Sequence, residues 1–175
     1  IVLIATMAAW LMALALHLKP VDFLPLNLSM LQYIVFRLLT SFCGVFGFSI
    51  MFNSPVPLAM SAAIIGAISN TLRLELVDLA SLPPAAAAFF AAMIAGLLAS
   101  AYKKHSGFPR IAITVPSIVI MVPGLYLYRA IYNLGMMNLS ISASWFASAT
   151  LIILALPLGL IFARIMTDKM FRYCT

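Results

Sequence analysis

The sequence predicts an all-α fold: a polytopic transmembrane helical bundle of about six spans. Three observations carry that reading. Of 175 residues, 65% are apolar and 8% charged, whereas a soluble domain carries about 25% charged residues, too many for this chain to match on a water-facing surface. The apolar residues fall in long runs, close to the roughly 20 residues that cross a hydrocarbon core about 30 Å thick. The alternation expected of barrel strands is absent, and backbone groups in lipid must be satisfied within their own segment, so the runs are expected to be helices.

The first span covers Ile1 to Leu18, with one His and no charge. Ile at the first position points to a true start that is missing or processed. No clear cleavage site follows this run, so it reads as a span and not as a signal sequence. The linker from Lys19 to Asn27 is turn-rich, with Pro20, Asp22 and Pro25. A second span runs from about Leu31 to Phe52, and Asn53-Ser54-Pro55 stops it. Ser54 is placed to cap the third helix, and Pro55 suits its first turn, where a missing N–H costs nothing. The third span ends near Leu72, with Arg73, Glu75 and Asp78 read as a short polar loop. Pro83 and Pro84 open a fourth span to about Tyr102, followed by a loop from Lys103 to Gly107. Pro109 opens the fifth segment, which reaches about Leu134. A soft loop, Gly135 to Ser142, leads to the sixth span, Ala143 to Met166, and a polar tail. Two regions are expected: residues 1–30 as an N-terminal helix and linker, and residues 31–175 as a five-helix membrane domain.

The formal charge of +6 is best explained by topology, because basic residues mark cytoplasmic loops. Lys103, Lys104, Arg110, Arg164, Lys169 and Arg172 fall on one side of the predicted topology, against Lys19 and Arg73 in the opposite loops. Both termini are therefore expected in the cytoplasm. Basic residues are not interleaved with aromatics in a patch, so nucleic acid is not an expected partner. Cys43 reads as a small packing residue, and Cys43 and Cys174 lack metal-ligand spacing. Ala62, Gly66 and Asn70 lie four apart, as do Ala92, Gly96 and Ser100; such faces let helices approach closely and should meet protein, not lipid.

The fifth segment carries most of the functional information. Pro116 and Pro123 lie inside it, each removing a backbone hydrogen bond, and Gly124 follows the second. A helix broken at Pro123-Gly124 would present free N–H groups and a positive dipole end to a carboxylate. A plain proline kink is the competing reading. Arg37 and Arg129 lie inside apolar runs, where a charge costs about 2.5–3.5 kcal/mol on insertion scales. With Arg73 they could form a vestibule for an anion; snorkelling to the headgroups is the alternative, and for Arg73 the preferred one. Asp22, Glu75, Asp78 and Asp168 all read as loop or tail residues, so a proton relay would have to come from a partner chain. His17 and His105 are isolated. No catalytic constellation, metal spacing or phosphate loop is visible, so neither enzyme activity nor a cofactor is expected.

GFSIMFNSP (Gly47 to Pro55) and VPSIVIMVPGLYLY (Val115 to Tyr128) resemble the YjjB-type small subunit of the ThrE-like threonine/serine exporter family. The resemblance covers roughly Ser41 to the C-terminus; span one lies outside it, and Leu125 and Arg129 are local features. It implies an inner-membrane exporter in which a small subunit works with a larger YjjP-type membrane subunit, the split form being associated with succinate and a single-chain form with threonine and serine. An odd number of spans per half would place two halves in opposite orientations.

The function expected is therefore export of a small carboxylate such as succinate, with threonine/serine export as one alternative and a non-transporting assembly subunit as another. Succinate leads because intramembrane Arg without intramembrane carboxylate favours a net anion. Arg37, Asn53, Pro116, Pro123, Gly124, Tyr126 and Arg129 are the expected substrate-binding set, with membrane lipid as the surrounding partner.

Overall fold

The computed structural model describes residues 2–17 and 28–168. Every regular element among them is a helix: α1 (Val2–Ala15), α2 (Met30–Met51), α3 (Val56–Asp78), α4 (Pro84–Ser106), α5 (Arg110–Val119), α6 (Gly124–Gly135) and α7 (Leu139–Thr167). By length and composition α2, α3, α4 and α7 can each cross a membrane, and α5 with α6, taken as one interrupted span, would make a fifth. With α1 these are the six expected segments. The fourteen residues of α1 rise about 21 Å, short of a hydrocarbon core. The linker expected between Lys19 and Asn27, the tail basics Lys169 and Arg172, and Cys174 lie outside the described residues.

The helix boundaries follow the punctuation of the sequence, with some corrections. Ser29 opens α2, and its amide donates to Gln32 Oε1 at 2.9 Å. Asn53 turns the chain after α2 with φ 57°, a conformation Asn tolerates better than most residues. The cap of α3 is Pro55, not Ser54, and Pro57 takes the first-turn place given to Pro55. Pro83 and Pro84 do open α4, and Gly107, at φ 69°, closes it in the left-handed region. Two expected loops are helix instead: Arg73, Glu75 and Asp78 occupy the last turns of α3, and Lys103 to Ser106 the last turn of α4. Charge alone does not end a helix whose backbone bonds continue. The soft loop shrinks to residues 136–138, because Leu139 already begins α7.

The chain divides into two compact units. One comprises residues 29–122 and 151–175; the other comprises residues 1–28 and 123–150. The larger unit centres on α3, which packs against α2, α4 and α5. Its interior is made of small side chains. Ala62, Ala63, Ala91, Ala92, Ala95 and Ala99 are fully buried, while Met60, Ile64 and Ile68 face outward. This is the arrangement of a membrane bundle, where large apolar groups meet lipid and small ones let backbones approach. The two small-residue faces behave as expected. A Cβ on Gly66 would lie 2.7 Å from Val45 Cγ2 and 2.8 Å from the carbonyl oxygen of Ser117. Across from Ala92, Gly159 of α7 is tighter still: a Cβ there would lie 2.4 Å from the Phe89 carbonyl oxygen. Cys43 departs from expectation, being exposed on the outer face of α2. In the smaller unit α1 packs on α6, with Trp10 against Gly135.

Candidate functional site

The break in the fifth segment falls where Pro123 and Gly124 place it. Helix α5 ends at Val119, and Pro123 caps α6 with φ −79° and ψ 55°, outside helical geometry. Pro116 stays inside α5, buried, without ending it. A kink would have kept one helix; the chain instead forms two. Pro123 lacks the N–H that would continue the ladder, and its ring clashes with the preceding turn.

The end of α5 is cradled by α2 and α3. Ser117 is completely buried, and its Oγ lies 3.0 Å from the Ala62 carbonyl oxygen of α3 and 2.7 Å from that of Ile113. Gly44 of α2 makes room for Ile120, since a Cβ there would lie 2.7 Å from Ile120 Cδ1. Arg73 Nη1 donates to the Met121 carbonyl oxygen at 3.3 Å. A cation at a helix C-terminus meets both the orphan carbonyls and the negative end of the dipole. Arg73 is thereby tied to the turn that follows α5, two residues past its last helical residue.

Beside this cradle runs a buried polar seam along α3. Asn70 Nδ2 donates to Ser41 Oγ of α2 at 2.8 Å, with both residues at least 95% buried. Asn70 Oδ1, Ser69 Oγ and Thr71 Oγ1 are buried without a hydrogen-bond partner among the described residues. Unsatisfied oxygens in an apolar interior are costly, and such groups ordinarily meet water or a ligand.

One helical turn further, Arg37 of α2 meets two carboxylates of α3. Arg37 Nη1 donates to Glu75 Oε1 at 2.7 Å, and Nη2 donates to Asp78 Oδ2. The Arg37 and Glu75 side chains are 21% and 18% exposed, and the Tyr33 ring lies 5.6 Å from the guanidinium carbon. The expectation that every carboxylate lies in a loop or tail thus fails for Glu75 and Asp78, which belong to α3. Three residues apart, they project from one helix face toward one guanidinium.

The other expected residues are placed separately. Asn53 is exposed in the α2–α3 turn, where its amide donates to the Ile50 carbonyl oxygen at 2.9 Å. In the smaller unit Gly124 is exposed at the start of α6 with open space at its Cβ position. Tyr126 and Arg129 come together on Trp145 of α7. The Tyr126 ring stands edge-on to the indole at 5.4 Å, and the Arg129 guanidinium carbon lies 4.8 Å from the indole centroid. Ser142 Oγ donates to the Ala130 carbonyl oxygen at 2.6 Å and ties α7 to α6. Sequence reasoning missed Ser41, Asn70, Ser117 and Trp145 as partners. The run Ser69-Asn70-Thr71, polar inside an apolar segment, was the available signal.

A family model described as "Threonine/Serine exporter, ThrE" matches residues 37–166, which include the polar seam, the ion pairs and the break. The chain belongs to this family. An "Uncharacterized protein" of Haemophilus influenzae (strain ATCC 51907 / DSM 11121 / KW20 / Rd) is 31% identical to it, over 67% of this chain and 44% of that protein. The chain thus spans less than half of that relative's length. No solved structure matches it. Membership of this family, together with four to five helices able to cross a membrane, makes this a multi-pass membrane protein. Partly buried charges and buried polar groups beside a broken helix are groups able to replace a solute's hydration shell.

Proposed function

We propose that the chain is one half of an inner-membrane exporter for small solutes bearing a carboxylate, with threonine and serine ahead of succinate. The observation that carries this is Arg37 held between Glu75 and Asp78 on facing helices. The preference for a net anion rested on intramembrane arginine without intramembrane acid. With two acids against Arg37, the region offers charges of both signs, which suits a zwitterion: Arg37 for the carboxylate, Glu75 or Asp78 for the ammonium group. The family description points the same way. Succinate is the second reading, supported by the likeness of GFSIMFNSP and VPSIVIMVPGLYLY to small subunits of the split form.

The second half is a larger YjjP-type subunit. A relative in which the match fills 44% of the length supports this, as that is close to the proportion of one of two joined halves. Both termini are cytoplasmic in this reading. The meeting of Arg110 with Thr167 supports it, because it brings the ends of α4, α5 and α7 to one basic-rich side. The role is transport without a chemical step.

The test is flux in proteoliposomes holding both subunits, with labelled threonine and labelled succinate compared against protein-free vesicles. Saturable threonine flux that collapses in Glu75→Gln is expected. Succinate flux alone, unaffected by Glu75→Gln, reverses the substrate order. Flux of both solutes unchanged in Arg37→Gln, Gly124→Leu and Arg129→Ala, with the complex intact, makes this chain an assembly subunit instead.

A further inference from the structure

Outside the α2–α3 region, the larger unit carries a second concentration of charge. Leu97, Ser100, Ala101 and Lys103 at the end of α4, Arg110 at the start of α5, and Thr167 and Asp168 at the end of α7 line a cleft of about 520 Å³. Its basic wall is built, not incidental. Arg110 Nη1 donates to Thr167 Oγ1 at 3.2 Å, and Nη2 donates to the Gly96 carbonyl oxygen at 3.1 Å. Gly96 is what allows this, since a Cβ there would lie 3.1 Å from Arg110 Nη2. A guanidinium has five N–H donors, so two bonds fix the fork and leave donors for a ligand. Lys103 is exposed at the rim. The acid in the cleft, Asp168, lies 3.8 Å from Arg164, so its charge is offset and the cleft remains net positive.

Around the same helix the chemistry changes. Ala101 also lines an apolar groove of about 500 Å³ between α3 and α4, with Met60, Ile64, Ile68, Leu98 and Tyr102 among its walls. A basic cleft where the termini of α4, α5 and α7 meet therefore adjoins an apolar groove running along the membrane-spanning part of α4 and of its neighbour α3. A free small anion uses only the first; a molecule with an anionic head and a hydrocarbon chain uses both.

We propose that this pair of surfaces binds an anionic phospholipid, its phosphate against Lys103 and Arg110 and an acyl chain along the α3–α4 groove. Basic pockets between spans bind anionic headgroups by charge-assisted hydrogen bonds. The occupied site ties α4, α5 and α7 together at the end where the basic residues gather. It is independent of the exported solute.

The experiment uses the full chain with its partner in nanodiscs of phosphatidylcholine, titrated with phosphatidylglycerol and followed by thermal unfolding and native mass spectrometry. Phosphatidylglycerol should raise Tm and appear as retained adducts. Lys103→Gln should weaken its binding about fivefold, the effect of one basic residue at an anionic surface, and Lys103→Glu should weaken it further. Ile64→Trp, which fills the groove without altering charge, should also displace the adduct. Equal stabilisation by both lipids, or adducts unchanged in Lys103→Glu, overturns the proposal. Stabilisation by inorganic phosphate or succinate equal to that by phosphatidylglycerol also overturns it, and assigns the cleft to a free oxyanion.

Discussion

Arg37 and Arg129 look alike in the sequence, each a single cation in an apolar run, and the structure holds them by different physics. Arg37 is anchored across helices by Glu75 and Asp78, largely buried, beside a seam of buried Ser, Asn and Thr. Arg129 is exposed and lies over the face of Trp145, from the next helix, with Tyr126 edge-on to the same ring. The first is a charge neutralised by charge in a tight, small-residue bundle. The second is a charge held by a quadrupole at an accessible surface, a much weaker bond. The α2–α3 region is therefore expected to hold one rigid arrangement, and the α6–α7 region to tolerate exchange.

The sharpest way to break that comparison is to remove each cation in turn. Arg37→Leu leaves Glu75 and Asp78 without their counter-charge and should cost about 2–3 kcal/mol, below the range for fully buried pairs because Asp78 is half exposed and solvent screens it. Arg129→Leu should cost well under half as much. Unfolding in detergent, followed by circular dichroism, measures both, and equal losses would erase the distinction.

Packing gives the next largest effect. Gly66→Ala should destabilise by about 2 kcal/mol, because its Cβ meets a backbone oxygen that cannot move aside. Gly124→Ala has open space and should be neutral or stabilising by a few tenths of a kcal/mol. The same unfolding assay separates them, and a harmless Gly66→Ala would mean that the α2–α3–α5 contact is loose.

Arg73→Leu removes the donor at the end of α5 and should cost about 1 kcal/mol. The loss should be local, visible as faster deuterium exchange at Met121 and Val122, whose amides bond to Ile118 and Val119 at 2.9 and 3.1 Å. Unchanged exchange there would show that Pro123 alone maintains the break. The smallest effect is the coupling of Arg129 with Trp145, about 0.5–1 kcal/mol in a double-mutant cycle. A value near zero would place the guanidinium in solvent or headgroups, the snorkelling alternative.

The helices were legible to within a few residues wherever proline or glycine punctuates the chain, as at Pro83-Pro84, Gly107 and Pro123-Gly124. They were misread where charge was taken as punctuation. Arg73, Glu75 and Asp78 read as a short polar loop, yet α3 carries all three. Each charge there is accommodated by a partner 38 to 48 residues away, so the helix has no reason to end. Of the expected binding residues, Arg37, Tyr126 and Arg129 do sit among polar or aromatic partners. Asn53 lies in an exposed turn, and Pro116 serves the backbone.

What could be read without coordinates was what depends on neighbouring residues: apolar length, the helical state that lipid imposes on the backbone, and the break where a missing N–H coincides with a glycine. These are local or additive properties, carried by the order of residues. The pairing of Arg37 with Glu75 and Asp78, the bond of Arg73 to the turn after α5 and the stacking of Arg129 on Trp145 were decided by packing. Each depends on distance through space between separate helices, and separation along the chain does not encode that distance. A buried charge announces that a partner is needed; only the bundle decides which residue it is.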